Sequence, residues 1–349
     1  MSEPLTIIRP DDFHVHLRQE NALRVVAPYT ARQFARALIM PNCTPPITTT
    51  QQAQEYRQQI LGCVGDHSFE PLMTLYLTDQ TTSDEIMQAS DSGIVFAAKL
   101  YPRGATTNSE TGVTDILGLY PVLETMEECD LVLSVHGEVT LTTHPNADVF
   151  DFERIFIEQV LQPIINRFSH LRVVLEHITT QDAVDFVLSS SPHVAATITP
   201  QHLMYNRNDL LVGGLHPHRY CLPIVKAATP HQSALRSVIT LDSPKFFLGT
   251  DSAPHARTAK ESACGCAGCF SAPCALELYA QVFEECNALH LLEAFASRRG
   301  AHFYGLPLNA GTVTLLKKPR CVPRSIPYGE SGELIPFCAG EELAWRLES

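Results

Sequence analysis

Basic residues are in short supply in this chain: 25 Lys and Arg stand against 38 Asp and Glu, a formal net charge of −13 over 349 residues. That field would repel a nucleic acid or an anionic membrane surface, and neither is expected as a partner. A small anionic substrate is still allowed, because an arginine at the bottom of a cleft acts locally while the distant acidic surface is screened. Also missing is any run of about twenty apolar residues, the length a membrane-spanning helix needs. The opening MSEPLTIIRPDDF has no basic region followed by an apolar one, so it does not read as a secretory signal, and a cytoplasmic location is expected. Long polar, repetitive or linker-like stretches are absent too. With 45% hydrophobic and 18% charged residues, the chain reads as globular throughout, long enough for one large α/β barrel or two ordinary domains.

Cysteine, by contrast, is not scarce. Eleven cysteines, scattered and without a secretory signal, read as reduced thiols rather than a disulfide framework. Cys264, Cys266, Cys269 and Cys274 in SACGCAGCFSAPCA suggest a compact zinc knuckle. Their spacing is tighter than paired Cys-x-x-Cys, however, and no second pair follows at finger distance. The other reading is a Gly- and Cys-rich loop whose backbone passes close to something.

Near the start, FHVHLRQ places His14, His16 and Arg18 at every second position. If the run before them ends as a strand, all three project to one face, giving half a metal site with a cation beside it. The remaining ligands must come from elsewhere. A second pair, His216 and His218 in GGLHPHRY, has Pro217 between its members and follows two glycines, so it reads as loop.

Short apolar, β-branched runs recur along the chain: LTIIRPDDFHVHL, ARALIMPN, PLMTLYLT, GIVFAAKLYP, LVLSVHGE, LRVVLEHIT, HVAATITP and KFFLGTDS. Between them lie stretches with helical periodicity, among them TTQQAQEYRQQILGCV, DILGLYPVLETMEEC and DFERIFIEQVLQPIINRF, several opening on a Thr, Ser or Asp suited to an N-cap. Eight strands alternating with helices predict a (β/α)₈ TIM barrel, in which chemistry sits at the C-terminal ends of the strands. Those ends carry His14, His16, Lys99, His136, His177 and Asp251. Each alone has an ordinary reading, such as a snorkelling lysine or a turn-forming aspartate. Six ligand-type side chains at one end of one barrel do not.

The ordered segments DDFHVHLR, MPN, KLYPRGATTNS, SVHGE, LEHI, CLPI, LGTDSAPH and KESACGCAG resemble the amidohydrolase superfamily and, in detail, its short, bacterial-type dihydroorotase family. The resemblance implies two Zn²⁺ per chain, one held by His14, His16 and Asp251 and the other by His136 and His177. Lys99 would bridge both after carboxylation of its ε-amine by CO₂. It implies Arg18 pairing with a substrate carboxylate, Asn42 and His255 adding hydrogen bonds, and Thr106 and Thr107 closing over the substrate on a mobile loop. Leu222 and Ala267 would offer backbone groups, which accounts for the cysteine-rich loop without zinc there. The implied reaction is reversible cyclisation of N-carbamoyl-L-aspartate to L-dihydroorotate and water in de novo pyrimidine (UMP) biosynthesis, with Asp251 moving the proton. A homodimer is implied as well.

Hydantoinases and allantoinases share such metal ligands and form the nearest alternative. Against them, the His-x-His motif falls too early for a preceding sandwich domain, and Arg18 and Asn42 suit a carboxylated substrate. A non-catalytic scaffold on the same fold would be expected to have lost ligands. Residues 1–306 are assigned to the barrel. Residues 307–349, with several prolines and short β-like runs, are assigned to an extension packed on it.

Overall fold

The apolar runs become strands because each is buried on both faces, as parallel strands flanked by helices require. A computed structural model describes residues 4–348. Its main sheet has eight parallel strands in chain order: β2 (Asp11–Val15), β3 (Arg36–Ile39), β4 (Glu70–Tyr76), β5 (Val95–Leu100), β6 (Val132–Val135), β7 (Val173–Leu175), β8 (Val194–Ile198) and β9 (Phe246–Leu248). The sheet closes where the first strand meets the last. There the Asp251 N–H donates to the His14 carbonyl at 2.8 Å, and the His16 N–H donates to the Ser252 carbonyl at 3.1 Å. The fold is the TIM barrel expected.

One expected strand is two. The run from Leu5 to Leu17 breaks at Pro10, which has no N–H for a ladder. Its first half, β1 (Leu5–Ile8), leaves the barrel and pairs antiparallel with β10 (Thr312–Leu316), Leu5 opposite Leu315. Residues Arg346–Leu347 pair with the other edge of β10.

The helices start where the caps predict. Thr49 and Gln52 form a reciprocal capping box for Thr50–Leu61, while Thr82 and Thr180 cap Ser83–Asp91 and Gln181–Ser189. The stretch DILGLYPVLETMEEC becomes helical only from Tyr120, with Pro121 in its first turn. DFERIFIEQVLQPIINRF is helical from Phe152 to Arg167 with a π-type turn at Ile157–Leu161, just before Pro163, whose missing N–H cannot continue the regular ladder.

Inside the barrel, every strand contributes to one apolar cluster: Phe13, Leu38, Leu72, Ala97, Val132, Val174, Ala195 and Phe247. Phe13 stacks on Tyr304 (centroids 4.8 Å, 9°) and meets Phe247 edge-on at 5.4 Å. Helix Arg299–Phe303 closes this floor. A Cβ at Gly300 would lie 2.2 Å from the Phe13 ring, so only glycine lets the helix approach. Two residues further on sit Lys99, Ser134 and Thr197 in their strands and Glu176 just past the end of β7, all fully buried. The period of two therefore sets a polar layer directly above an apolar plug.

Candidate active site

The tightest group of metal-ligating side chains among the described residues is His14, His16 and Asp251, whose ligand atoms all lie within 4.8 Å of one another. Its position follows from the barrel seam, where backbone bonds between residues 14–16 and 251–252 fix the two strand ends together. Asp251, at φ 46, turns its carboxylate inward, with Oδ1 3.1 Å from His16 Nε2 and 3.4 Å from His14 Nε2. Burial raises its pKa, but hydrogen bonding from His16 and the adjacent imidazoles outweigh this, and the carboxyl stays below its ordinary value.

His177 links this group to His136. Its ring lies 5.0 Å from His14 and 4.9 Å from His136, centroid to centroid, and its backbone at φ 40 aims it into the barrel mouth. Burial, then the nearby His136 and Lys99, hold His177 well below the usual imidazole value, and burial drives His16 down to about 4. Both are neutral, so each has a lone pair to offer a cation. Lys99 projects from β5 with its amine 5.2 Å from the Tyr101 ring. Burial brings its pKa down to about 8, against the opposing pull of Glu176 and Asp251.

Buried polar atoms in proteins are almost always hydrogen-bonded, yet Lys99 Nζ, His177 Nδ1 and Glu138 Oε1 have no partner among the described residues. Unsatisfied nitrogens and a carboxylate oxygen clustered with neutral imidazoles fit a divalent-cation centre of nitrogen and oxygen ligands.

Two carboxylates here were not singled out from the sequence. Glu138 lies 2.9 Å from His136 Nε2. Glu176 accepts from Ser134 Oγ at 2.6 Å and Thr197 Oγ1 at 2.5 Å, and its Oε2 stands 3.0 Å from His14 Nδ1. That last contact is close but bent, so it is a charge contact more than a formed hydrogen bond. Their signal was available. Glu176 stands two residues after the inward Val174, in the turn just past the end of β7.

The other expected residues line a neighbouring pocket. His16, Arg18, Asn42, Thr106, Thr107, Leu222, Asp251 and Ala267 bound a cavity of about 20 Å³, close to the room one water occupies. The loop after β5 closes it: Asn42 Nδ2 donates to the Thr107 carbonyl at 3.0 Å, and Thr107 Oγ1 to the Ala267 carbonyl at 3.4 Å. Arg18 is not on the strand as its spacing suggests. The strand ends at Val15, and a left-handed backbone at Arg18 (φ 60) returns the side chain to the pocket.

His255 Nε2 lies 3.0 Å from both Arg18 Nη2 and the Ala267 carbonyl. One ring nitrogen cannot accept from the first and donate to the second at once, so one contact is always unsatisfied. A carboxylate arriving at Arg18 would free His255 to donate to Ala267. Burial and then the Arg18 charge push His255 down to about 2, which keeps it neutral.

The remaining expectations divide. Cys264 and Cys266 approach to 3.9 Å, but among the described residues no cluster of three or more ligating groups contains a cysteine. His218 contacts Glu261 at 3.1 Å and His216 lies against the Val212 carbonyl at 3.4 Å, so these two do not form a pair.

Comparison with known proteins gives the family. The amidohydrolase family model matches residues 6–320. A dihydroorotase from Nitrosococcus oceani is 58% identical over 348 residues, 99% of each chain. Crystal structures of dihydroorotases from Campylobacter jejuni (33% identical, TM-score 0.90, covering 100% of this chain and 98% of that one) and Saccharomyces cerevisiae, the latter with 5-fluoroorotic acid (33%, TM-score 0.91, 99% of each), share the fold. The chain belongs to the amidohydrolase family, enzymes that act on small molecules with metal assistance. Within that family it falls among the dihydroorotases, which serve pyrimidine biosynthesis.

Proposed function

We propose that this chain interconverts N-carbamoyl-L-aspartate and L-dihydroorotate at a centre of two Zn²⁺, with His14, His16 and Asp251 serving one ion, His136 and His177 the other, and carboxylated Lys99 both. The observation that carries the reading is the meeting, in one buried barrel mouth, of the His14, His16 and Asp251 trio with the half-buried Arg18 guanidinium. Metal ions there would polarise the amide carbonyl and lower the pKa of a water at neutral pH.

The chain's own groups supply the rest. Asp251, held ionised, can take a proton during ring opening and return it to the departing ring nitrogen, base first and acid second. Lys99, with its amine pushed down to about 8, carries enough neutral amine near neutral pH to add CO₂, releasing one proton and becoming an anionic carbamate. Arg18 can grip the substrate carboxylate in a bidentate pair, with Asn42 and His255 beside it. Thr106 and Thr107 on the closing loop, and the backbone at Leu222 and Ala267, would then surround the ring and exclude water. The same reading includes a homodimer and a cytoplasmic location, the latter supported by eleven unpaired cysteines. It also treats the chain from residue 307 onward as an extension to the barrel, supported by the pairing of β10 with β1 outside the main sheet.

The test is the hydrolysis rate of L-dihydroorotate beside hydantoin and allantoin, with metal content measured on the same sample. Turnover of dihydroorotate alone with about two metals per chain is expected for a two-metal centre. Preference for another cyclic amide would discard the substrate assignment. Asp251→Ala is expected to abolish turnover, and substantial remaining activity would remove Asp251 as the proton carrier.

A further inference from the structure

Lys260 is a lysine hidden from solvent, at 2% exposure, that ends the one-turn helix Arg257–Lys260 just after His255. Its amine donates to three main-chain carbonyls: Tyr220 at 2.8 Å, Cys266 at 2.7 Å and Gly268 at 2.8 Å. An ammonium has three N–H donors, and all three are used. Among the ion pairs of the described residues none joins it to a carboxylate, so the three carbonyl dipoles, with the Tyr220 ring 5.6 Å away, face the buried charge. Such an arrangement is costly to build, and its location suggests why it is there.

The three carbonyls belong to two loops. Tyr220 stands two residues before Leu222, while Cys266 and Gly268 flank Ala267. Because the carbonyls on either side face the ammonium, the Ala267 carbonyl faces the opposite way, towards His255 Nε2 (3.0 Å) and Thr107 Oγ1 (3.4 Å). This alternation needs an unusual backbone, with φ of +71 at Gly265, +26 at Cys266 and +144 at Gly268. At Gly268 a Cβ would stand 2.6 Å from the Ala253 carbonyl, so the loop is pressed against the strand-end segment that carries Asp251. The Gly268 N–H also reaches the Tyr220 carbonyl at 3.0 Å, tying the two loops at a second point. Left-handed conformations and carbonyls turned to one point are costly for a backbone, and the ammonium gives those carbonyls a common partner.

We infer that Lys260 is a positioning residue for substrate binding: its ammonium draws the 220–222 and 266–268 backbones together and so sets the Ala267 and Leu222 groups that meet the substrate. This rests on the proposed substrate pocket. It assigns the lysine no contact with substrate or metal, and its removal should therefore weaken binding while sparing the chemical step.

The experiment compares KM and kcat for L-dihydroorotate, the Kd of the unreactive analogue orotate, metal content and Tm in Lys260→Met, Lys260→Arg and Arg18→Met. For Lys260→Met, KM and orotate Kd are expected to rise about tenfold or more, with kcat within about threefold and metal content unchanged, the pattern of lost uniform binding. Lys260→Arg, which keeps the charge but not the single point of convergence, should fall between. Unchanged KM and orotate Kd in folded Lys260→Met overturns the inference. So does metal loss in step with activity, or failure of both Lys260 variants to fold, since either makes the lysine a general staple. If Arg18→Met leaves orotate binding unchanged, the pocket reading itself has failed. If Arg18→Met weakens orotate while Lys260→Met does not, only the inference about Lys260 has failed.

Discussion

At the scale of single residues, Glu176 shows how a side chain remote from substrate can govern the site. It is fully buried, its two oxygens take hydroxyl donors from Ser134 and Thr197, and what remains of its charge faces His14 Nδ1 at 3.0 Å. Burial raises its pKa, but His14, Lys99 and Ser134 outweigh this and keep it below the ordinary value, hence anionic. An anion at Nδ1 favours the tautomer that leaves Nε2 free for a cation. Glu176→Gln keeps the size but removes the charge and turns one acceptor into a donor facing other donors. Metal affinity, measured by competition with a chelator, is expected to fall roughly 10- to 100-fold. Unchanged affinity would show that Glu176 serves only the barrel interior.

At the scale of elements, the helix beginning at Phe152 is anchored by Glu153, a fully buried carboxylate that accepts from the Thr179 N–H at 2.9 Å and the Thr179 hydroxyl at 2.9 Å, two residues beyond His177. Burial pushes this carboxyl from 4.5 up to about 6, although Lys226 and the threonines oppose it. Between those values the folded chain binds more protons than the unfolded one, so stability falls as pH rises from 4.5 to 6, by roughly 2 kcal/mol once complete. Glu153→Gln removes this contribution. The stability of the variant minus that of the wild type, from urea titrations, should therefore climb by about that amount between pH 4.5 and 6.5 and then level off. Parallel curves would show that Glu153 has an ordinary pKa in the fold. Elements of this kind were legible in part. Each of the eight barrel strands is carried by its own apolar run, because the sheet is buried on both faces, and the threonine caps mark the helix starts. Pro10 was a visible break whose consequence, a strand leaving for another sheet, depends on β10 some three hundred residues away. Arg18 reached the pocket through a left-handed backbone rather than strand alternation, and no spacing rule encodes that. Lys260 was not singled out, because its three partners are main-chain carbonyls, which leave no trace in side-chain pattern.

At the scale of the whole molecule, the question is whether barrel and extension unfold together. β1, at the start of the chain, pairs with β10, and β10 pairs with Arg346–Leu347 near the end. The Ile8 N–H donates to Glu293 at 2.9 Å and its carbonyl accepts from Ser297 at 2.6 Å, which binds this outer sheet to the barrel's last helical turns. Leu315, Trp345 and Leu347 share one continuous apolar core with the helices around the barrel. The chain has a single tryptophan, Trp345, at 2% exposure, and its indole N–H donates to Glu284 on helix Ala275–Glu285 at 3.1 Å. Its fluorescence therefore reports the docked extension, while far-ultraviolet circular dichroism is dominated by the barrel helices. Because opening the extension would strip β1 of its partner and expose part of the shared core, the two signals should change at the same temperature and denaturant concentration, as one cooperative transition. A tryptophan signal that moves several degrees ahead of the dichroism would make the extension a separate unit, docked on a barrel that holds its site without it.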